Sequence, residues 1–163
     1  MKPAALFPGQ GSQFIGMGRD LYDHDTSVRE LFELASDTVK IDLPKLIFEG
    51  DMEELTMTVN LQPAVTAVNM AFWQILARED LPVAFTAGHS LGEYSALKAA
   101  GVLEAEQTFR LTLRRGQLMH RESLRHRGVM HAIIGLDIER VEALVQSAGG
   151  EDGSVSVANH NTP

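Results

Sequence analysis

Five consecutive residues, Gly88-His89-Ser90-Leu91-Gly92, constrain this chain more than any other stretch. They stand between the apolar run "PVAFTA" and the segment "EYSALKAA". A serine between two glycines, with a strand before it and a helix after it, makes a sharp turn where side chains at the glycine positions would clash with neighbouring backbone. "PVAFTAG" reads as a buried strand, and Leu91 to Ala100 as a helix ended by Gly101. Chance produces the three fixed positions in about one chain in twenty of this length, and the flanking pattern makes an accident less common. The expectation is an α/β fold.

Serine is a weak nucleophile at neutral pH. An acyl-transfer site must present it clear of its backbone, supply a base and stabilise the oxyanion formed on attack. The helix after Ser90 points N–H groups toward it, and the N–H of Leu91 is placed as one oxyanion donor. A second glycine segment, "FPGQGSQFIGMG", fails as a dinucleotide fingerprint because Phe14 stands where the third glycine belongs. It lacks the Gly-Lys-Ser/Thr of a phosphate loop as well. Two readings stay open: a glycine turn at a strand end, or a loop that brings the Gln10 N–H to the other side of the oxyanion.

Along the chain, "AALF" at residues 4–7 reads as a buried strand running into that glycine loop. Two helical segments follow. In the second, Ser27 and Glu30 form a capping-box pattern, and Val28, Leu31, Phe32 and Ala35 share one face. From Pro63 to Arg78, Val65, Val68, Phe72, Ile75 and Leu76 predict an amphipathic helix with Pro63 in its first turn. A helix from about Ala105 to His120 carries Phe109 and Leu113 inward, and Gly116 within it is a mild cost unless something packs closely there. Beyond it, "VMHAIIGL" predicts a strand, Ile138 to Ser147 a helix capped by Asp137, Gly149-Gly150 a stop and "SVSVAN" a parallel strand. Two domains are expected: residues 1–127, and an incomplete smaller one over 128–163.

The 163 residues, 44% hydrophobic and 22% charged, suit a compact domain with a sizeable core. No cysteine occurs, which excludes disulfides and thiolate metal sites and fits a reducing compartment. The start "MKPAALFPGQG" is too short an apolar run for a signal peptide, and no run approaches the ~20 apolar residues of a membrane span. The expected location is the cytoplasm. A formal charge of -8 argues against nucleic-acid binding and leaves any anionic substrate to local cations. From Arg110 to Arg127 there are six arginines and two histidines, with Arg114-Arg115 just before Gly116. Adjacent helical residues point about 100° apart, so at most one of that pair faces a pocket. A solvated face and a guanidinium paired with a substrate carboxylate are the two readings.

Together these segments resemble malonyl-CoA:acyl-carrier-protein transacylases and the acyltransferase domains of polyketide synthases. "LFPGQGSQFIGMG", "LQPAVTAVN", "AGHSLGEYSAL", "RRGQLM", "HAIIGL" and "ANHNTP" follow that family's order and approximate spacing over nearly the whole chain. The resemblance implies that residues 1–127 are an incomplete α/β-hydrolase-like large subdomain with a parallel sheet, and that 128–163 are the first β-α-β half of a ferredoxin-like small subdomain. It implies a ping-pong transfer in which Ser90 takes malonyl from coenzyme A as an ester and passes it to the phosphopantetheine thiol of an acyl carrier protein. By the same resemblance Ser90 is the nucleophile, Gln10 and Leu91 give the oxyanion-hole N–H groups, and Arg115 holds the malonyl carboxylate. His89 belongs to the motif but is a poor base, being Ser90's neighbour on a tight turn. Gln62, Asn159 and Asn161 match pocket-lining positions. No metal or cofactor is implied, since the coenzyme A thioester is itself the substrate, and the full-length form is expected to be a monomer.

One departure stands out. The resemblance places the activating histidine well downstream, and the chain reaches Pro163 first. His120, His126, His131 and His160 read as structural or solvated. The chain is therefore expected to be the N-terminal part of such an enzyme and, alone, inactive or very slow. Two other functions remain: a serine esterase or acyl hydrolase on the same scaffold, and a non-catalytic carrier-protein-binding or structural fragment.

Overall fold

The computed structural model describes residues 2–79, 81–126, 128–149 and 155–161. The chain divides into two compact units, Met1–His126 and Arg127–Pro163.

In the first unit, strand β1 (Ala4–Phe7) and strand β2 (Phe85–Gly88) pair in parallel, with Ala5 opposite Thr86 and Phe7 opposite Gly88. Parallel neighbours need a long crossover. Here it carries helices α1 (Arg19–His24), α2 (Thr26–Val39), α3 (Leu43–Glu49), α4 (Met52–Thr56) and α5 (Thr58–Leu76), then a short 3-10 turn, Ala77–Glu79. Helices α6 (Gly92–Ala99) and α7 (Ala105–Arg125) follow β2. The result is an α/β unit, mostly helical around a small parallel sheet.

The apolar pattern places these elements, with several corrections. In β1, Ala5 and Phe7 are buried while Ala4 and Leu6 face out, so the strand is buried on one side rather than both. Strand β2 starts at Phe85 instead of Pro82, and Phe85 is 62% exposed, against the expected buried strand. Among the described residues β2 ladders with β1 alone, and α6 packs on it through Thr86 Oγ1, which donates to the Ala96 carbonyl at 3.0 Å.

Helix α2 buries Val28, Leu31, Phe32 and Ala35 as their spacing predicts. Its cap differs. Asp25, extended just before the helix, accepts from the backbone N–H of Ser27 at 2.9 Å and of Val28 at 3.1 Å. Ser27 already lies inside the helix, so its hydroxyl donates to Asp25 instead of capping. Beside this face Phe32 stacks on Phe48 and Tyr22 meets both edge-on, with centroids 5.2 to 5.8 Å apart.

Helix α5 is the centre of the unit: every residue from Leu61 to Ala71 is buried, against α2, α6 and α7. It begins five residues before Pro63, so the proline sits in the second turn, not the first. A proline there removes one intrahelical bond and costs about 3 kcal/mol. The first turn packs closely on α7: a Cβ at Gly116 would stand 2.8 Å from the Thr58 carbonyl oxygen and 3.1 Å from Val59 Cα. Gly116 is thus the close-packing glycine that would explain its place in a helix. Helix α7 also runs on past His120 to Arg125, where Glu122 pairs with Arg121 and Arg125. Phe109 is fully buried and Leu113 packs against the same core.

In the second unit, helix α8 (Ile138–Ala148) follows Asp137 and ends at Gly149, as the pattern predicts, although the Asp137 side chain makes no capping bond. Gly150 lies outside the described residues. The two expected strands do not form among the described residues: 128–134 and 155–161 carry no ladder, and Val129, Met130, Ile133 and Ile134 are exposed. Ser154, at the start of the second, lies outside the described residues. Alternating apolar residues favour a strand, but a strand persists only where a neighbour accepts its backbone hydrogen bonds. The expected β-α-β unit is therefore not present among the described residues.

Candidate active site

Strand β2 stops at Gly88 and α6 starts at Gly92, which leaves three residues to reverse the chain. Ser90 sits at φ 53, in the left-handed region where a non-glycine residue costs on the order of 1 kcal/mol. A Cβ at Gly88 would lie 2.0 Å from the Gly92 carbonyl carbon, and one at Gly92 would lie 2.1 Å from the Phe7 carbonyl oxygen. Both glycines are required by backbone, which cannot move aside as a side chain can. The turn is closed by Gly92 N–H donating to the His89 carbonyl at 2.9 Å and Glu93 N–H to the Ser90 carbonyl at 3.2 Å. Ser90 itself is exposed.

The glycine loop after β1 runs against this turn. His89 N–H donates to the Phe7 carbonyl at 3.1 Å. A Cβ at Gly9 would lie 2.4 Å from the His89 carbonyl oxygen and 3.5 Å from Leu91 N. Gln10 follows Gly9 directly, exposed at the start of the turn, while the Leu91 side chain is fully buried at the start of α6. Asn69 fixes the loop from α5, its side-chain N–H₂ donating to the Pro8 carbonyl at 3.0 Å and to Ser95 Oγ at 3.4 Å. Sequence reasoning gave Asn69 no role. Its signal was a polar residue inside an otherwise largely apolar buried run, beside Gln62 and Thr66.

Helix α7 brings the cation. Arg114 is exposed and Arg115 half-buried, so one guanidinium of the adjacent pair turns inward. Arg115 Nη2 donates to Ser90 Oγ at 2.8 Å, and Nη1 donates to Gln62 Oε1. Gln62 is fully buried on α5, with its Cγ against Gly116, and its Nε2 has no partner among the described residues. Among the described residues no carboxylate pairs with Arg115, whereas Arg110 on the same helix is paired with Glu106.

The structure thus joins Ser90, Arg115 and Gln62 by hydrogen bonds and sets Leu91, His89 and the Gly9-Gln10 loop around the same turn. Asn159 and Asn161 lie in the second unit and are exposed. A groove of about 660 Å³ bounded by Arg19, Asp37, Asp42 and Lys45 contains none of these residues. No group of three or more metal-ligating side chains occurs among the described residues, and no helix is long and apolar enough to cross a membrane. An exposed serine on a strained backbone, backbone N–H groups at a helix start and a half-buried guanidinium without a counter-charge among the described residues suit attack on an acyl carbonyl next to an anionic group.

The chain is similar to known proteins over nearly its whole length. The chain is 44% identical over 162 residues to the malonyl CoA-acyl carrier protein transacylase of Bacillus subtilis (strain 168), covering 99% of this chain and 51% of that protein. It superimposes on the crystal structure of the acyl-carrier-protein-S-malonyltransferase from Bartonella henselae with a TM-score of 0.85 and 41% identity, over 99% of this chain and 52% of the other. A malonyl-transacylase solved in complex with a type II polyketide synthase acyl-carrier protein matches with a TM-score of 0.82 and 38% identity, over 92% of this chain and 49% of the other. The chain spans about half the length of the curated relatives it matches. The family model for the acyl transferase domain matches residues 5–163, and on that match the chain belongs to the acyl transferase domain family.

Proposed function

We propose that this chain carries the acyl-binding part of a malonyl-CoA:acyl-carrier-protein transacylase, in which Ser90 takes the malonyl group from coenzyme A as an ester and passes it to a phosphopantetheine thiol. The observation that carries this reading is Arg115 Nη2 standing 2.8 Å from Ser90 Oγ, on a guanidinium with no carboxylate partner among the described residues. A neutral acyl chain gains nothing from such a cation, whereas malonyl offers it a carboxylate beside the reacting carbonyl. In this reading Ser90 attacks the thioester carbonyl, its proton goes to a base, and the N–H groups of Leu91 and Gln10 receive the oxyanion until the coenzyme A thiolate leaves. The base is the histidine that the resemblance places beyond residue 163. The first unit corresponds to an α/β-hydrolase-like subdomain and the second to the start of a ferredoxin-like one. The substrate is itself the activated thioester, so the reaction calls for no cofactor, and we place it in the cytoplasm.

Treatment with a serine-directed phosphonate, with the adduct located by mass spectrometry, tests the nucleophile. A label on Ser90 that is lost in Ser90→Ala supports the proposal; labelling elsewhere with Ser90 untouched overturns it.

A further inference from the structure

We infer that Arg115 and Ser90 form a catch, closed at rest, which an acyl group bearing a carboxylate opens and a neutral acyl group does not. The inference rests on the reading of Arg115 as the carboxylate clamp and adds a step to it: the clamp must first let go of the nucleophile.

Three observations carry it. The Nη2 hydrogen bond occupies a lone pair of Ser90 Oγ, the atom that must attack. A reacting carbonyl carbon has to approach that oxygen to about 3 to 3.5 Å, a distance at which the guanidinium nitrogen already stands, 2.8 Å away. The other side of the guanidinium is anchored: Nη1 donates to Gln62 Oε1, and Gln62 is fully buried with its Cγ against Gly116. Arg115 therefore has a fixed side and an exchangeable side, and the exchangeable side is the one on Ser90. Finally, the cluster is rich in donors and poor in negative charge. Arg115 donates to two neutral oxygens, and Gln62 Nε2 is buried without an acceptor among the described residues.

A guanidinium donating to a hydroxyl has charge on one side only, whereas a carboxylate adds the opposite charge and can accept two parallel N–H bonds. Exchange of Ser90 Oγ for a malonyl carboxylate is consequently downhill, and it frees the hydroxyl for its base in the same movement. An acetyl group brings only a carbonyl oxygen, no better an acceptor than the hydroxyl it would displace. Selection then acts twice, in holding the right acyl group and in withholding the nucleophile from the wrong one.

The test is binding of monomethyl malonate, which carries the single free carboxylate of a malonyl thioester, followed by NMR titration of the chain with methyl acetate as control. Breaking the Arg115–Ser90 bond costs the wild-type chain affinity, so Ser90→Ala should bind monomethyl malonate about tenfold more tightly. Ser90→Gly, which also relieves the positive φ, should match it. Arg115→Ala should bind none, and methyl acetate should not distinguish the variants. Equal or weaker binding by both Ser90 variants, with Arg115→Ala still inactive in binding, overturns the catch and leaves the clamp standing. Binding that is absent throughout, or indifferent to Arg115→Ala, overturns the clamp and the catch together.

Discussion

Arg115 Nη2 donates to Ser90 Oγ across 2.8 Å, joining the middle of helix α7 to a turn 25 positions earlier in the chain. If that guanidinium receives a malonyl carboxylate, its removal should change selectivity more than it changes the serine. In Arg115→Ala the ratio of malonyl to acetyl ester formed on Ser90 should fall by about tenfold or more, read by mass spectrometry after exposure to an equimolar mixture of the two thioesters. An unchanged ratio would take Arg115 out of substrate recognition.

Gln62 offers a separate handle on the same group. Gln62→Leu deletes the acceptor of Arg115 Nη1 and also the buried Nε2, which has no partner among the described residues. Loss of an unsatisfied donor offsets the lost bond, so urea denaturation should show a stability change of less than about 1 kcal/mol. Binding of monomethyl malonate should weaken several-fold because the guanidinium loses its anchor. Unaltered binding would mean that Gln62 does not position Arg115.

The glycines of the turn can be ranked by what surrounds them. Gly88→Ala places a Cβ 2.0 Å from Gly92 backbone, and Gly92→Ala places one 2.1 Å from the Phe7 carbonyl oxygen. Each should destabilise the chain by about 1–3 kcal/mol or more, since backbone rather than a side-chain tip must move. Gly128→Ala meets nothing within 4 Å and should stay within about 0.5 kcal/mol of wild type. Thermal unfolding of the three variants orders them, and an equal effect at all three would contradict the turn geometry.

These positions also show what was legible in the residues themselves. Gly88, Ser90 and Gly92 announce their turn because the constraint is local: five residues and their flanks determine it. The partnership of Ser90 with Arg115 and Gln62 is not local. It depends on α5 and α7 approaching closely at Gly116, which residue order alone does not disclose. The apolar pattern of α2 was readable to the residue, yet its cap fell to Asp25 instead of Ser27, because backbone conformation decides which of two nearby side chains lies outside the helix. Val129 to Ile134 and Val155 to Val157 show the opposite limit. Their composition suits strands, but strand formation waits on a ladder partner, and none pairs with them among the described residues.

The cap of α2 makes stability depend on acid. Arg78 donates to Asp25 at 2.5 Å, Ser27 adds a side-chain hydrogen bond and Val28 a backbone one, and together they hold the Asp25 carboxyl well below the usual carboxylate range. A lowered folded-state pKa means that the stabilisation is complete above the ordinary aspartate value of about 4 and is lost as the pH falls below it. Asp25→Asn should be less stable than wild type at neutral pH, and the difference should shrink as the pH drops below about 4. Urea midpoints across that range would show it; a gap independent of pH would contradict the ion pair.

The central claim is that Ser90 accepts a malonyl group in a site shaped by Arg115. The most direct measurement is prolonged incubation of the chain with malonyl-CoA, followed by peptide mapping of any ester. The expected result is a malonyl ester on Ser90, absent from Ser90→Ala, that forms on the order of 10⁴- to 10⁶-fold more slowly than in a relative with its base in place. A malonyl ester on another residue, or none on Ser90 after long exposure, would contradict it.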